Sequence, residues 1–432
     1  MKLLGVKFIL FFLVSLASAR LDANNDTLYL SLDDAIGRAR KQSLESIEAK
    51  LDRNTGFLNL LNYSLQLLPT FSTTINYEKQ ETQTSIPLNS NYIKTFTANQ
   101  IIFSPEVFGN LYNGKLYYEY YYAQAYEKEA HLIYNVKLVY FNLIKAYNLY
   151  KVAQAALKRA QENYRLIKTK RDLGEASDFE VLQSETFLSQ TELDILSAQK
   201  NLATHENELK LLTGITSNVI IRPQENFELP TLDLKFNELW NLIVKYNYSL
   251  TSNKKFEKLT KVSFIQSVLN LLPTISYYWI GNYYDTSLTG VMLNWRNQNF
   301  RSYGIKFQFP ISDLKTYILS VANKKTEHRR AKLQLIKLKQ ILYKSLLTAV
   351  ENYQESKVRA EYAQKNLELN QKLMNLAKEQ YRLGLISQLD LINTEINFTR
   401  AQFDYYNTLY DMHINYAQIE YLVGHLIKPQ EQ

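Results

Sequence analysis

The chain repeats itself, and this internal duplication limits the folds that it can adopt. Residues 68–72 (LPTFS) recur as residues 272–276 (LPTIS), at an offset of 204 residues. Leu173-Gly174 recurs as Leu383-Gly384, at an offset of 210 residues. Solenoid repeats are about 20–50 residues long, so units of roughly 200 residues do not fit a solenoid. The pattern predicts two similar halves within one protomer.

Each half has the same predicted order of elements: a helix of roughly 35 residues, a β-hairpin and then a long helical hairpin. In the first half the opening helix starts at Ser31, with Asp34 three residues later as in a capping box. The first repeat covers residues 20–222, with its β-hairpin at about 70–104 and its helical hairpin at 115–214. The second covers residues 223–432, with its β-hairpin at about 274–309 and its helical hairpin at 316–424.

The predicted hairpin strands alternate between apolar and polar residues. Phe71, Thr73, Ile75 and Tyr77 alternate with polar residues, and Tyr303, Ile305, Phe307 and Phe309 do the same in the second repeat. A period of two indicates strands with one apolar face and one polar face. About 10 residues suffice to cross a bilayer when a strand is tilted, so these hairpins can line a membrane barrel.

The helical hairpins are too long to cross a membrane and are patterned for side-by-side packing. A helix of about 60 residues spans roughly 90 Å. The returning helix of each repeat carries apolar residues every seven positions, which is typical of coiled-coil packing. These positions are Val181, Leu188, Ile195, Leu202 and Leu209 in the first repeat, and Leu391, Phe398, Tyr405, Met412 and Ile419 in the second.

The first 19 residues have the pattern of a secretory signal peptide. Lys2 and Lys7 lie before an apolar run. This run is followed by Ala17-Ser18-Ala19, a small-residue cleavage site. We therefore expect residues 1–19 to be removed and the protein to leave the cytoplasm. The chain has no cysteine, which excludes disulfides and thiolate chemistry. Its net charge of +8 is spread along the chain, so we expect no nucleic-acid partner.

Four strands in one chain cannot close a barrel, and open strand edges cannot face lipid. Three copies supply twelve strands, an even-numbered barrel of ordinary size. The helical hairpins then project into the periplasm and lie side by side as a second, helical barrel. The predicted fold class is mainly α with a small membrane β-barrel, assembled from tandem-duplicated hairpins in a trimer.

The chain resembles the outer membrane efflux protein (TolC) family over nearly all of its mature length. Residues 31–35 (SLDDA) resemble the family's opening motif, and residues 67–70 (LLPT) its helix-to-strand junction. The closing signature is matched by Tyr381, Gly384, Ser387, Asp390 and Leu422-Val423-Gly424. The resemblance implies a trimeric exit duct in the outer membrane. It also implies a periplasmic tip that opens when an adaptor (a membrane fusion protein) and an inner-membrane transporter dock.

The tip is expected at the turns around Gly174 and Gly384, and acidic residues follow both turns. Glu180 and Asp390 occupy the same position in the two repeats. Three copies of Asp390 would make an acidic ring that favours cations, and Glu180 is a second candidate. The alternative is that both are ordinary carboxylates at a helix N-terminus, where acidic residues are favoured.

The family resemblance also suggests Tyr381 as part of a gate held by hydrogen bonds between helices, and a packed aromatic side chain is the alternative. Ile386 stands where some members of the family have a gate arginine, and Asn393 where a second acidic residue can occur. A polar lock of the usual type is therefore in doubt. Proline fits seams between helix and strand because it removes a donor and breaks both element types. The expected seams are at Pro69, Pro105, Pro273 and Pro310.

No residue pattern indicates chemistry. The histidines lack metal-ligand spacing, and neither a phosphate-binding glycine loop nor a nucleophile elbow is present, so we expect no metal, no cofactor and no enzyme activity. The alternatives to an efflux or type I secretion duct are a periplasmic coiled-coil adaptor and a helical periplasmic enzyme. The sequence does not indicate the cargo.

Overall fold

The computed structural model describes residues 27–78, 91–216, 219–225, 230, 232, 234–293, 300–309 and 314–424. The predicted signal peptide and the predicted seam at Pro310 lie outside these described residues.

The helices of the two repeats correspond in length. α1 and α5 each have 11 residues, α2 and α6 each have 22, and α4 and α9 each have 36. The first part of the chain forms β1 (Thr27–Leu30), α1 (Leu32–Gln42), α2 (Leu44–Leu65), β2 (Thr70–Glu78), β3 (Asn91–Phe103), α3 (Pro105–Asp172) and α4 (Asp178–Thr213). The second forms β4 (Ile220–Pro223), α5 (Phe236–Tyr246), α6 (Tyr248–Leu269), β5 (Thr274–Asp285), α7 (Leu288–Leu293), β6 (Phe300–Gln308), α8 (Leu314–Arg382) and α9 (Gln388–Val423).

The opening helix of each repeat is two helices, so the prediction of one helix of roughly 35 residues is wrong. Ser43 has an extended backbone between α1 and α2, and its hydroxyl accepts a hydrogen bond from the amide of Ser46 at 3.1 Å. Asn247 does the same between α5 and α6, accepting from the amide of Leu250 at 2.8 Å. Each residue caps a new helix, which ends the one before it.

The first long helix begins at Pro105, well before the predicted start at residue 115. Ser104 caps it and Pro105 takes the first helical turn, where its missing amide hydrogen costs nothing. Gly109 and Gly114 weaken the helical pattern in this segment. A Cβ on Gly114 would come within 2.7 Å of the Tyr63 ring, so glycine permits α3 to approach α2 closely. In the second repeat the described part of α8 begins at Leu314 rather than residue 316.

The four predicted hairpin strands form one antiparallel sheet in the order β2-β3-β5-β6. Opposite residues such as Trp279 and Tyr303 belong to the same face, which also carries Phe71, Ile305 and Phe307. The other face carries most of the small polar residues, among them Ser72 and Thr97, whose hydroxyls lie 2.5 Å apart, together with Ile93, Ile280 and Tyr284. Within the described residues, the outer edges of β2 and β6 pair with no strand of this chain.

A second, parallel sheet of two short strands, β1 and β4, was not predicted. Tyr140 of α3 fixes it to the helices: its hydroxyl donates to the carbonyl of Leu30 at 2.7 Å and accepts from the amide of Gln224 at 3.1 Å. Tyr140, Leu30 and Ile221 are almost fully buried in the largest apolar cluster. This cluster lies midway along α3, between the sheet end and the tip end.

The long helices α3 and α8 connect the strands to the far end of the molecule. With 68 and 69 residues, each spans about 100 Å. α3 packs against α6 and α9 of the second repeat as well as α2 and α4 of its own. Among the residues that the structure describes, no helix has a stretch apolar enough for a membrane span.

Candidate gate at the helical tip

Two glycine turns close the helical hairpins at the end farthest from the antiparallel sheet. Gly174 and Gly384 have φ values of 81° and 74°, a left-handed conformation that residues with a Cβ rarely adopt. The amide of Glu175 donates to the carbonyl of Lys170 at 2.8 Å, and the amide of Leu385 donates to that of Gln380 at 2.9 Å. These bonds satisfy carbonyls that the helix ends leave open.

The two predicted acidic residues, Glu180 and Asp390, both belong to capping boxes. The amide of Ser177 donates to Glu180 at 2.8 Å, and the amide of Glu180 donates to the Ser177 hydroxyl at 3.3 Å. Ser387 and Asp390 form the same reciprocal pair at 3.1 and 3.2 Å. Each carboxylate therefore has a structural task at a helix start, as the alternative interpretation expects.

Asp390 is nevertheless exposed and charged, so it can also act on ions. Hydrogen bonds from the hydroxyl and then the amide of Ser387 lower the pKa of Asp390 below its usual value. The negative charge is thus secured down to acidic pH. Asn393, one turn further along α9, is also exposed. The structure leaves both side chains available to a neighbouring copy or to solvent.

Tyr381 lies within an apolar cluster near the tip rather than free in solvent. It packs against a core of Met374, Ala377, Leu391 and Phe398, and the Lys170 ammonium lies 4.9 Å from its ring centroid. Burial, with a smaller contribution from Glu180, raises the pKa of the Tyr381 hydroxyl. Tyr381 therefore connects the end of α8 to the end of α3 through a cation–π contact.

Ile386 supports the same cluster. It is half-buried and packs against these apolar residues, where an arginine stands in some members of the family that the chain resembles. The turn between α8 and α9 is thus held partly by apolar contacts.

A buried ion pair between α3 and α9 was not predicted. Arg159 Nε lies 2.6 Å from Glu395 Oε1, and the Glu395 side chain is only 3% exposed. Arg159 also donates to the Thr399 hydroxyl at 3.1 Å and lies 5.5 Å from the Phe398 ring centroid. The sequence signal was Glu395 itself, a carboxylate between the heptad residues Leu391 and Phe398. Its partner could not be found because it lies 236 residues away in the chain.

The described prolines lie at changes of element. Pro69 falls between α2 and β2, Pro273 falls between α6 and β5, and Pro105 is the first residue of α3, two positions after the end of β3. The sheet end and the tip end of each repeat are thus joined by continuous helix. Among the described residues, no group of three or more His, Asp or Glu side chains is placed to hold a metal ion.

Comparison with known proteins identifies relatives of this architecture. Residues 269–425 match the family model described as outer membrane efflux protein, which confirms the resemblance in the second repeat. No functionally curated protein matches the chain by sequence.

Solved channel structures share the fold along almost the whole chain. The Campylobacter jejuni CmeC outer membrane channel superposes with a TM-score of 0.82 at 17% identity, covering 93% of this chain and 87% of that one. The open state of the Neisseria gonorrhoeae MtrE outer membrane channel gives 0.79 at 16% identity, covering 93% and 90%. The outer membrane protein VceC from Vibrio cholerae gives 0.74 at 14% identity, covering 91% and 96%. The chain therefore has the fold of these proteins.

Proposed function

We propose that this chain, whose residues 269–425 match the outer membrane efflux protein family, is one protomer of a homotrimeric channel through the outer membrane. Its three copies form a passive exit duct for an efflux pump or a type I secretion system. The chain binds no cofactor and catalyses no reaction.

The observation that carries this proposal is the four-stranded sheet. One face is mainly apolar and aromatic, the other is mainly polar, and within the described residues both outer edges pair with no strand of this chain. Such a sheet fits a barrel wall, with lipid on one side and water on the other, only when other copies complete it. Three copies supply twelve strands.

The helices extend the conduit away from the membrane. At about 100 Å, α3 and α8 are several times longer than a bilayer is thick, so they reach into the periplasm. A periplasmic adaptor and an inner-membrane transporter then engage the helical end. Asp390 and Glu180 lie where three copies would converge, and Glu180 is close to Tyr381. Asn393 follows Asp390 by one turn of α9.

The adaptor alternative fits the structure less well. A coiled-coil adaptor accounts for the helical hairpins but gives no reason for a four-stranded sheet with one mainly apolar and aromatic face. The fold likeness to channels extends over more than nine-tenths of the chain, strands included.

Cell fractionation combined with native mass spectrometry tests the proposal. We expect the protein in the outer membrane, and in mild detergent a mass of three mature chains of just under 50 kDa each. Deleting the gene should raise the cellular accumulation of at least one exported compound. A water-soluble protein of one-chain mass would contradict the proposal and favour an adaptor.

A further inference from the structure

Three contacts between the two repeats, which we call seams, have an equivalent that one chain leaves unmade. Within the chain, β3 pairs with β5, and α3 packs against α6 and α9. When each element is replaced by its equivalent in the other repeat, these contacts become β6 with β2, α8 with α2, and α8 with α4. One chain cannot form these seams, because each pair lies at opposite edges of the molecule. The same elements expose many large apolar side chains, among them Leu44, Phe71, Phe307 and Ile336.

We propose that a second copy covers these faces in the register that the chain's own seams already show. Strand β6 of one copy pairs with β2 of the next copy, and helix α8 of the first packs against α2 of the next. The inference rests on the proposed function, because it assumes a closed ring of copies, but it adds which residues face each other across the ring.

The strand register follows from equivalent positions in the two hairpins. Phe71 pairs with Ala98 in the first hairpin, and Ile275 pairs with Phe307 in the second. Because Phe71 and Ile275 are equivalent, Ala98 and Phe307 are equivalent as well. Ala98 pairs with Trp279 across the intrachain seam.

Trp279 is equivalent to Ile75 through the offset of 204 residues. Phe307 should therefore lie opposite Ile75 of the partner subunit. By the same equivalence Ile305 lies opposite Tyr77 of the partner subunit, and Gln308 lies opposite Thr74 of the partner subunit.

The faces of the sheet provide an independent check on this register. A slip of one residue would turn a whole strand over and place apolar residues on the polar face. In the derived register Phe307 and Ile305 lie opposite residues of the apolar face. Gln308 and Lys306 lie opposite the polar residues Thr74 and Asn76 of the partner subunit. The apolar face thus continues unbroken from copy to copy.

The helices next to the sheet, α2 and α6 with the first parts of α3 and α8, also give complementary pairs when the two repeats are exchanged. Asn113 of α3 donates to Gln266 of α6, and the equivalent residues are Asn323 of α8 and Asn62 of α2. Both of these amides are exposed in the single chain. The stacked rings of Tyr126 and Tyr248, 6.2 Å apart, become Ile336 and Leu44, which are 47% and 73% exposed. An amide would meet an amide, and an apolar side chain would meet another.

Cysteine pairs test the register cleanly because the chain has no cysteine of its own. Cα atoms of directly opposite residues in antiparallel strands lie about 4.5–5.5 Å apart, within the roughly 4.4–6.8 Å between the Cα atoms of a disulfide. We expect the Ile75→Cys/Phe307→Cys variant to give covalent trimers on oxidation, seen on non-reducing denaturing gels. The matched control is Phe71→Cys/Phe307→Cys, which uses the same strand and face but lies about 13 Å out of register.

A second pair checks the helical seam without changing the sheet. Asn62→Cys/Asn323→Cys, both at exposed positions, should be joined between copies by a short bifunctional maleimide reagent. Asn62→Cys alone is its control and should give no covalent trimer.

The outcomes separate the register from the assembly. Native mass spectrometry of each variant shows whether three copies are present. If they are, and Ile75→Cys/Phe307→Cys forms no disulfide while the helical pair gives no cross-link, the register is wrong and the channel stands. If every variant and the parent have the mass of one chain, the register and the proposed function both fail.

Discussion

Asp390 combines a structural and an electrostatic role, and two substitutions separate them. Asp390→Asn removes the charge, whereas Ser387→Ala removes the capping hydroxyl and leaves the carboxylate. If three copies of Asp390 form an acidic ring, Asp390→Asn should lower the preference for cations in bilayer recordings. Ser387→Ala should preserve that preference and cost about 0.5–2 kcal/mol of helix stability. Equal effects on ion selectivity would show that Asp390 acts only as a cap.

Glu180→Gln provides the comparison between repeats. Glu180 is half-buried near Tyr381, whereas Asp390 is exposed, so we expect the smaller change in ion selectivity from Glu180→Gln. A larger effect from Glu180→Gln would place the constriction at α4 instead of α9.

The ion pair of Arg159 and Glu395 should make tip stability depend on pH. Burial raises the pKa of Glu395 above its usual value, although Arg159 beside it opposes the shift. For a carboxyl with a raised pKa, the stability contribution is complete below the unfolded pKa and is lost as the pH rises through the folded pKa.

Arg159→Met should therefore destabilise the protein at neutral pH by about 3–5 kcal/mol, because it leaves a buried carboxylate without a partner. Thermal unfolding at several pH values measures the effect, and acidification should restore part of the loss. Arg159→Met combined with Glu395→Gln is the matched control and should lose little. Equal losses at pH 4 and pH 8 for the single variant would contradict a buried charge as the cause.

At the scale of single elements, the periodicity of apolar residues and the residues that begin and end each element determined what could be predicted from the sequence. The helical hairpins follow from the heptads of the returning helices and from the turn glycines Gly174 and Gly384 that precede those helices, and the strands follow from a period of two. The parallel pair β1 and β4 was missed because each strand has only four residues and they lie far apart in sequence. The start of α3 was misplaced because Gly109 and Gly114 serve packing against neighbouring helices.

The same contrast applies to the candidate site. Asp390 and Glu180 stand out because a local motif and the duplication both mark them. The partnership of Arg159 and Glu395 depends on how α3 packs against α9, which no local pattern encodes.

The tip turns should be sensitive to a Cβ, unlike Gly37 inside α1. Gly384 has a φ of 74°, so Gly384→Ala should destabilise the tip by about 1–2 kcal/mol. Gly37 lies within α1, and a Cβ there meets no atom within 4 Å. Gly37→Ala should therefore stabilise by roughly 0.5–1 kcal/mol. Limited proteolysis at the tip and thermal unfolding compare the two, and equal stability changes would argue against the turn geometry.

At the scale of the whole molecule, the sheet predicts which face meets lipid. Ile305→Arg places a charge on the apolar face, whereas Ser302→Arg places the same charge on the polar face. A lipid-facing arginine costs about 2–4 kcal/mol near the bilayer centre. Ile305→Arg should lower the amount of assembled protein in the outer membrane, and Ser302→Arg should not. The reverse order would mean that the polar face points outward.

The account depends on one claim: an incomplete sheet and unpaired helix faces oblige several copies to complete one hollow conduit. Single-channel recording in planar lipid bilayers, with the wild type and with Tyr381→Ala to loosen the tip, tests it most directly. We expect discrete conductance steps that are small in the wild type, larger in Tyr381→Ala and selective for cations. Protein that is inserted in the bilayer but gives no steps in either form would contradict the account.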